Sequence, residues 1–198
     1  MDDIFSVAAR QRAHRDFADE PVADATIERI LETATRAPSA ENRQPWVFVV
    51  VRDPQIRARI GELTARAWEL GGRQHSVGRL DERLLADVDQ GAMGGVANAP
   101  VLVVVGGDAA ITPEKVLAAS IFPAAQNLML AATTLGLGSA LTTLTTVFAA
   151  ELRELVDLPD HIVPMAVVPI GVPTKQLGPN RRRPATESMH RDQYGRPW

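Results

Sequence analysis

The sequence predicts a single domain in which helices surround a few buried strands, either mixed α/β or an α+β sandwich. The chain has 198 residues, of which 45% are hydrophobic and 23% charged, as expected for one soluble domain. Short β-branched runs of strand length alternate with longer segments of helical periodicity. No two strands are joined by a clear hairpin signal, and the helical share is high.

The first half of the chain predicts three helices and one strand. The helices are expected over Asp3–Gln11, from a cap at Thr26 to Pro38, and from Asp53-Pro54 to about Leu70. Trp46–Val51 is a continuous apolar run, which is typical of a buried strand.

The second half predicts two more strands on either side of a long helix. Val101–Val105 and Ile162–Ile170 are the strand-like runs, and Phe148–Val156 is a short amphipathic helix. Pro113–Leu135 is apolar on nearly all sides. Such a helix is either buried centrally or covered by a partner subunit.

Two segments lack a core pattern. Gly71–Gly95 combines glycines with charged residues, and it is expected to be a mobile excursion or a poorly packed pair of helices. The residues after Gly171 are rich in proline, glycine and arginine. Residues 172–198 are therefore expected to form an extended arm of the same single domain, which covers residues 1–198.

Composition excludes several classes of site. The chain has no cysteine, which rules out disulfides, Fe–S clusters, thiolate zinc sites and cysteine nucleophiles. Its four histidines are scattered, so no metal site is expected. The net charge of −3 argues against nucleic-acid and anionic-membrane binding. The apolar runs singled out are of strand length and the N-terminus has no signal-peptide pattern, so a cytoplasmic protein is expected.

Three polar segments could bind a ligand. Gln11–Phe17 carries Arg12 and Arg15, whose guanidinium groups either converge on one anion or form a solvated face. Ala37–Trp46 is a loop whose small and amide side chains suit the edge of a flat heterocycle. Pro179–Pro184 holds three successive arginines, which form a solvated charge run or a phosphate site shared with the first segment.

Taken together, these segments resemble the FMN-dependent nitroreductase family over nearly the whole chain. The motifs occur in the order RAHRDF, APSAENRQPWVFVVV, AAQNLMLAATTLGLGS, VPIGVP and NRRRP. The resemblance implies an α+β, nitroreductase-like sandwich, with helices around a small mixed sheet, that forms an intertwined homodimer. It also implies two FMN molecules at the subunit interface, each contacted by both chains.

The resemblance assigns four groups of cofactor-binding residues. They are Gln11, Arg12, Ala13 and Arg15 in the N-terminal phosphate motif; Arg181 and Arg182 as phosphate contacts of the C-terminal arm; Pro38, Ser39, Ala40 and Asn42 in a loop contributed across the interface; and Thr142, Thr143 and Leu144 in a segment whose backbone faces the flavin ring near N5. Gln11 and Ala13 stand where the family commonly has arginine and serine, which weakens two phosphate donors. Arg10 or Arg183 would then rebuild the phosphate contacts.

The function implied is that of an enzyme whose chemistry comes from its cofactor, in keeping with the lack of a Ser-His-Asp set or paired carboxylates. NAD(P)H would reduce FMN at N5 and leave, and a nitroaromatic, a quinone or a related planar acceptor would then take its place. No side chain is assigned a catalytic role, and Trp68–Val96 is expected to cover the pocket and set the choice of acceptor. The alternatives are another flavin reaction on this fold (flavin fragmentation, dehydrogenation or dehalogenation), a flavin-binding protein without catalysis, and a structural dimer that binds nothing.

Overall fold

A four-stranded sheet and one long helix organise the fold. The computed structural model describes residues 3–198. The strands are β1 (Trp46–Val51), β2 (Val101–Asp108), β3 (Gly138–Ser139) and β4 (Ile162–Gly171). The helices are α1 (Ile4–Arg10), α2 (Asp24–Ala34), α3 (Pro54–Ala67), α4 (Arg73–Ser76), α5 (Glu82–Gln90), α6 (Val96–Asn98), α7 (Glu114–Thr134) and α8 (Ala149–Leu155). Single 3₁₀ turns lie at Ala40–Asn42, Leu144–Phe148 and Ala185–Ser188, and π-helical turns at Trp68–Gly72 and Gly91–Gly95.

The sheet has the strand order β1-β2-β4-β3, and neighbouring strands are antiparallel. Val103 in the central strand β2 pairs with Val50 in β1 and with Val168 in β4. The expectation of a mixed sheet is therefore wrong for these strands. Among the described residues, parallel pairing is limited to one isolated bridge, between Ala13 and Ser139.

Both faces of β2 are buried, which explains why its sequence is an unbroken apolar run. Val101, Val103 and Val105 point into a core formed with α2 and α7. Leu102 and Val104 point the other way, into a second core shared with α3 and α8. The α+β class and the predicted core strands are thus confirmed, and β2 and β4 extend slightly beyond their predicted ends.

Helix α7 lies against the sheet and α2, and eight of its residues are buried. It is 21 residues long and, by length and composition alone, apolar enough to cross a membrane. The prediction that the apolar runs are no longer than strands is therefore wrong for this helix. Its packing against β2 and α2 is that of a core helix, although Val116 and Phe122 remain 37% and 36% exposed.

The helix ends follow from capping chemistry. The Asp53 carboxylate accepts hydrogen bonds from the Gln55 and Ile56 N–H groups (2.8 and 3.0 Å), which confirms the predicted start of α3. The predicted cap at Thr26 is wrong, because α2 begins at Asp24 with Ala23 as its N-cap. Asp24 in the first turn favours this earlier start through its interaction with the helix dipole.

The two segments without a core pattern lie on the surface. The Gly71–Gly95 region is a pair of short helices, α4 and α5, and α5 has no buried residue. The helices agree with the second of the two predicted alternatives, a poorly packed helix pair. In the arm, residues 181–198 are exposed except for the partly buried Met189.

Candidate functional site

The N-terminal motif is held against the short strand β3. The His14 N–H donates to the Ser139 carbonyl oxygen (3.0 Å), and Ala13 forms the bridge with Ser139. Gly138 permits this approach, because a Cβ there would lie 2.9 Å from the Cβ of His14. Burial lowers the pKa of His14, and the positive charge of Arg12 lowers that pKa further. The RAHRDF and GLGS motifs are therefore direct neighbours in the fold.

The segment predicted to face a flavin ring follows β3 at the same edge of the sheet. Thr142 exchanges two backbone hydrogen bonds with Val167 of β4, both 2.9 Å long. The Leu144 N–H donates to Thr142 Oγ1 (3.2 Å), and Thr143 is exposed between them. The backbone of this segment is thus tied to the sheet while its middle residue stays accessible.

The C-terminal arm returns along the N-terminal motif. The Ala18 N–H donates to the Val172 carbonyl oxygen (2.8 Å), and the Thr174 hydroxyl donates to the Asp16 carboxylate (2.5 Å). Phe17 and Pro173 form an antiparallel bridge between these two hydrogen bonds. The RAHRDF motif and the end of the VPIGVP motif therefore lie side by side.

Arg12 contacts the arm further along. Its Nη1 donates to the carbonyl oxygens of Gly178 (2.6 Å) and Pro179 (3.1 Å), which are 166 and 167 residues away in the chain. Arg181 and Arg182 come after Asn180, whose N–H donates to the Ala9 carbonyl oxygen (3.1 Å), and both are exposed. Their backbone therefore follows a segment docked at the end of α1, and Arg12, Arg181 and Arg182 are here called the arginine group.

Arg15 lies in a different environment. Its side chain packs so closely on Gly91 that a Cβ there would collide with it, and its carbonyl oxygen occupies the place of a Cβ on Gly95. Burial lowers the pKa of the Arg15 guanidinium, and attraction to Asp87 partly opposes this. Arg15 therefore sits at the junction between the N-terminal motif and the 91–95 turn.

The loop around Ser39 has a strained backbone. Glu41, Asn42 and Gln44 adopt left-handed φ values of 53°, 54° and 52°, which asparagine tolerates but which are unfavourable for glutamate and glutamine. The Ser39 hydroxyl accepts from the Gln44 N–H (3.0 Å), and the Ser39 carbonyl oxygen accepts from the Asn42 N–H (3.0 Å). Pro38 precedes the turn and is exposed. Strain of this kind concentrates at ligand-binding sites.

This loop contacts α7 far from the N-terminal motif. The Ala40 N–H donates to Ser120 Oγ (3.2 Å), whereas the Gln11 side-chain amide faces the Met129 sulfur (3.8 Å). Ser120 and Met129 are separated by about two and a half helical turns, roughly 14 Å. Within one chain, the loop and the arginine group are therefore at different ends of α7.

The surface helices α4 and α5 are joined by Asp89. Its carboxylate accepts from Trp68 Nε1 (2.7 Å) and from Arg73 Nε and Nη2 (2.9 and 3.2 Å). The hydrogen bonds from Arg73 and then from Trp68 lower the pKa of Asp89. This clamp ties the first π-helical turn to the end of α5.

Sequence reasoning missed several positions that build the site. The N-terminal motif approaches three glycines closely, namely Gly138, Gly91 and Gly95. Ser120 accepts a hydrogen bond from the backbone of the loop. The sequence signal for these positions is weak, because a glycine or serine at a close tertiary contact cannot be told from one elsewhere in the chain. Among residues 3–198, no group of three or more His, Asp or Glu side chains could hold a metal ion.

Similar proteins are found by sequence and by structure. A family model described as the nitroreductase family matches residues 8–172. A protein of Archaeoglobus fulgidus, assigned as an NADH dehydrogenase/NAD(P)H nitroreductase, is 30% identical over 180 residues, which cover 87% of each chain. An NADPH-dependent oxidoreductase of Staphylococcus epidermidis is 26% identical over 197 residues, covering 98% of this chain and 74% of that one. A crystal structure of iodotyrosine deiodinase bound to FMN and 3-iodo-L-tyrosine has a TM-score of 0.79 and 25% identity, covering 96% of this chain and 98% of that one.

Proposed function

Because the chain belongs to the nitroreductase family, we propose that it is an FMN-dependent oxidoreductase with NAD(P)H as co-substrate. One observation carries the proposal: the N-terminal motif, the segment after β3 and the C-terminal arm converge at one edge of the sheet. These are the segments whose motifs resemble the cofactor contacts of the family.

The donors at this edge suit the phosphate of FMN. Arg12 is hydrogen-bonded to the arm two and three residues before Arg181, which Arg182 follows, and guanidinium groups match phosphate oxygens in geometry and charge. Ala13 offers no hydroxyl, and the Gln11 amide is turned towards α7. We therefore infer that Arg12 and the two arginines of the arm hold the phosphate.

The remaining residues bind and orient the ring. When bound, FMN supplies hydride chemistry through its N5, with NAD(P)H as donor and a nitroaromatic, a quinone or a related planar compound as acceptor, in ping-pong order. The backbone of Thr142–Leu144 is proposed to lie beside the ring, where N–H groups around Thr143 steady negative charge. No side chain acts as a general acid in this proposal.

The working unit is proposed to be a homodimer in the cytoplasm, where NAD(P)H is supplied. Helix α7 is apolar on nearly all sides, yet Val116 and Phe122 remain exposed in the single chain. A second copy would cover this face and bring its own loop to the arginine group. The loop residues concerned are Pro38, Ser39, Ala40 and Asn42.

The Trp68–Val96 segment is proposed to cover the acceptor. Its second π-helical turn packs on Arg15, which belongs to the N-terminal motif. It also carries Leu70, Leu84 and Met93, which are 73%, 39% and 53% exposed. An apolar cover of this kind suits a flat acceptor better than a charged one.

Reductive dehalogenation is the second candidate. The specific observation in its favour is the similarity to iodotyrosine deiodinase over nearly the whole of both chains. The same flavin site would serve this reaction, so the distinction must come from the acceptor and not from the cofactor.

The decisive experiment is an acceptor panel on the purified protein. We expect a yellow protein that absorbs at about 450 nm, as flavins do, and oxidises NADH or NADPH in the presence of a nitroaromatic or a quinone. Iodide release from iodotyrosine, without reduction of the other acceptors, would favour the second candidate. Bound FMN without turnover would indicate a flavin-binding protein, and failure to take up FMN would contradict the whole proposal.

A further inference from the structure

We propose that Asn180 is a positioning residue, which docks the C-terminal arm on the end of α1 and thereby assembles the arginine group. The proposal rests on the proposed function, because the anion that this group would receive is the phosphate of FMN. Asn180 is partly buried, whereas the residues on either side of it are exposed.

Asn180 caps α1 from the other end of the chain. The last carbonyl groups of a helix have no partner within the helix. Asn180 Nδ2 donates to the Ala8 carbonyl oxygen (3.0 Å), and the Asn180 N–H donates to the Ala9 carbonyl oxygen (3.1 Å). The side-chain bond joins residues that are 172 positions apart. The arm thus satisfies two carbonyl groups that α1 leaves open.

The Arg12 contacts extend this anchor by two residues. Because Arg12 binds the carbonyl oxygens of Gly178 and Pro179, the backbone of residues 178–180 is held at consecutive positions. Arg181 and Arg182 come next in the chain, so their place is set by where this stretch is docked. An arm released at Asn180 would leave them free to move away from α1.

An uncharged residue is suited to holding the arm at this position, because it adds no charge beside the arginines. Like charges repel, and the guanidinium groups gain nothing from proximity until an anion lies between them. A chain end without a core of its own also loses conformational entropy when it is fixed. Asn180 opposes both costs without neutralising the arginines. An aspartate of the same shape could not donate to the Ala8 carbonyl oxygen and would pair with the arginines instead.

The test compares FMN with riboflavin, which has the same ring but no phosphate. Apo protein is titrated with each flavin, and binding is followed by flavin fluorescence. We expect Asn180→Ala to raise the Kd for FMN about five- to tenfold, as for the loss of one hydrogen bond, and to leave the Kd for riboflavin unchanged. Asn180→Asp should weaken FMN binding at least as much. Gln176→Ala, which removes an exposed amide from the same arm, should change neither value.

Docking is measured separately, by backbone hydrogen exchange of residues 178–183 in the apo protein. Exchange should be faster in both Asn180 variants than in the wild type and in Gln176→Ala. Equal FMN affinity in wild type and Asn180→Ala would overturn this proposal alone, and so would equal weakening of FMN and riboflavin. A wild-type protein that binds neither flavin would overturn the proposed function, and this inference with it.

Discussion

The two ends of α7 carry the two halves of the candidate site, and they are built differently. At the Ser120 end, the loop from Pro38 to Pro45 combines hydrogen bonds between near neighbours in sequence with hydrogen bonds to Ser120, Ile111 and Asp108, none of them more than 80 positions away. At the Met129 end, the N-terminal motif and the arm are held by hydrogen bonds between residues more than 150 positions apart, such as the bond of 166 positions from Arg12 to Gly178.

The loop half therefore depends on contacts over short and intermediate distances in the sequence, whereas the arm half depends on contacts between the two ends of the chain. The loop keeps three left-handed residues in place through its own hydrogen bonds, so it is expected to hold its shape without a ligand. At the arm end, a few exposed hydrogen bonds hold the segment that precedes Arg181 and Arg182, and all the charges of the arginine group are positive. It is therefore expected to respond to an anion, to salt and to mutation more strongly than the loop end.

The largest effect is expected from removing two members of the arginine group. Each charge-assisted hydrogen bond contributes about 1.5–3 kcal/mol, so Arg12→Ala combined with Arg182→Ala should weaken FMN binding by about 100-fold or more. Riboflavin binding should hardly change. Arg196→Ala, which removes an exposed arginine from the end of the arm, is the control in the same fluorescence titration. Unchanged FMN affinity in the double variant would show that other arginines hold the phosphate.

The second-largest effect is a loss of stability, which is expected where Arg15 packs on Gly95 and Gly91. Gly95 has helical backbone angles, φ −59° and ψ −34°, which alanine adopts readily, yet a Cβ there would collide with the Arg15 carbonyl oxygen. We expect Gly95→Ala to lower the free energy of unfolding by about 1–3 kcal/mol in a denaturant titration. Gly91→Ala should cost less, because its Cβ meets the flexible Arg15 side chain. Equal losses in the two variants would contradict the close backbone approach at Gly95.

At the loop end, Ser120→Ala tests the tie to α7. The variant leaves the partly buried Ala40 N–H without its acceptor, which should lower the free energy of unfolding by about 1 kcal/mol. The control is Ser188→Ala, an exposed serine of the arm. Because the other loop hydrogen bonds remain, hydrogen exchange should rise at Ala40 alone. A rise across the whole loop would show that its shape depends on α7.

The smallest effect is the titration of His14, followed by NMR of its imidazole. Burial and Arg12 lower its pKa below the ordinary value of 6.5, so the folded state disfavours the protonated ring. The stabilising contribution is therefore present above pH 6.5 and is lost as the pH falls through the lowered pKa. Arg12→Ala should raise the pKa of His14 towards its ordinary value, and His14→Gln identifies the signal. An unchanged pKa in Arg12→Ala would show that burial alone lowers the pKa of His14.

Sequence patterns predicted the elements that have a strong local signal. The β-branched run of β1 and the Asp53-Pro54 start of α3 are examples, since each depends on neighbouring residues only. Strand β3 was missed because two residues, Gly138 and Ser139, show no periodicity. The site motifs were recognisable in order, but their mutual contacts were not.

The family, the α+β class and the kinds of side chain available to a phosphate and a flat ring can all be predicted from the amino-acid sequence. Which of these side chains meet is known from the folded chain alone: Arg12 contacts the arm, Arg15 the 91–95 turn, and the Ser39 loop Ser120. The physical reason is that helices, strands and caps are set by residues a few positions apart. The site instead depends on strand order and on hydrogen bonds between the two ends of the chain, which no local pattern records.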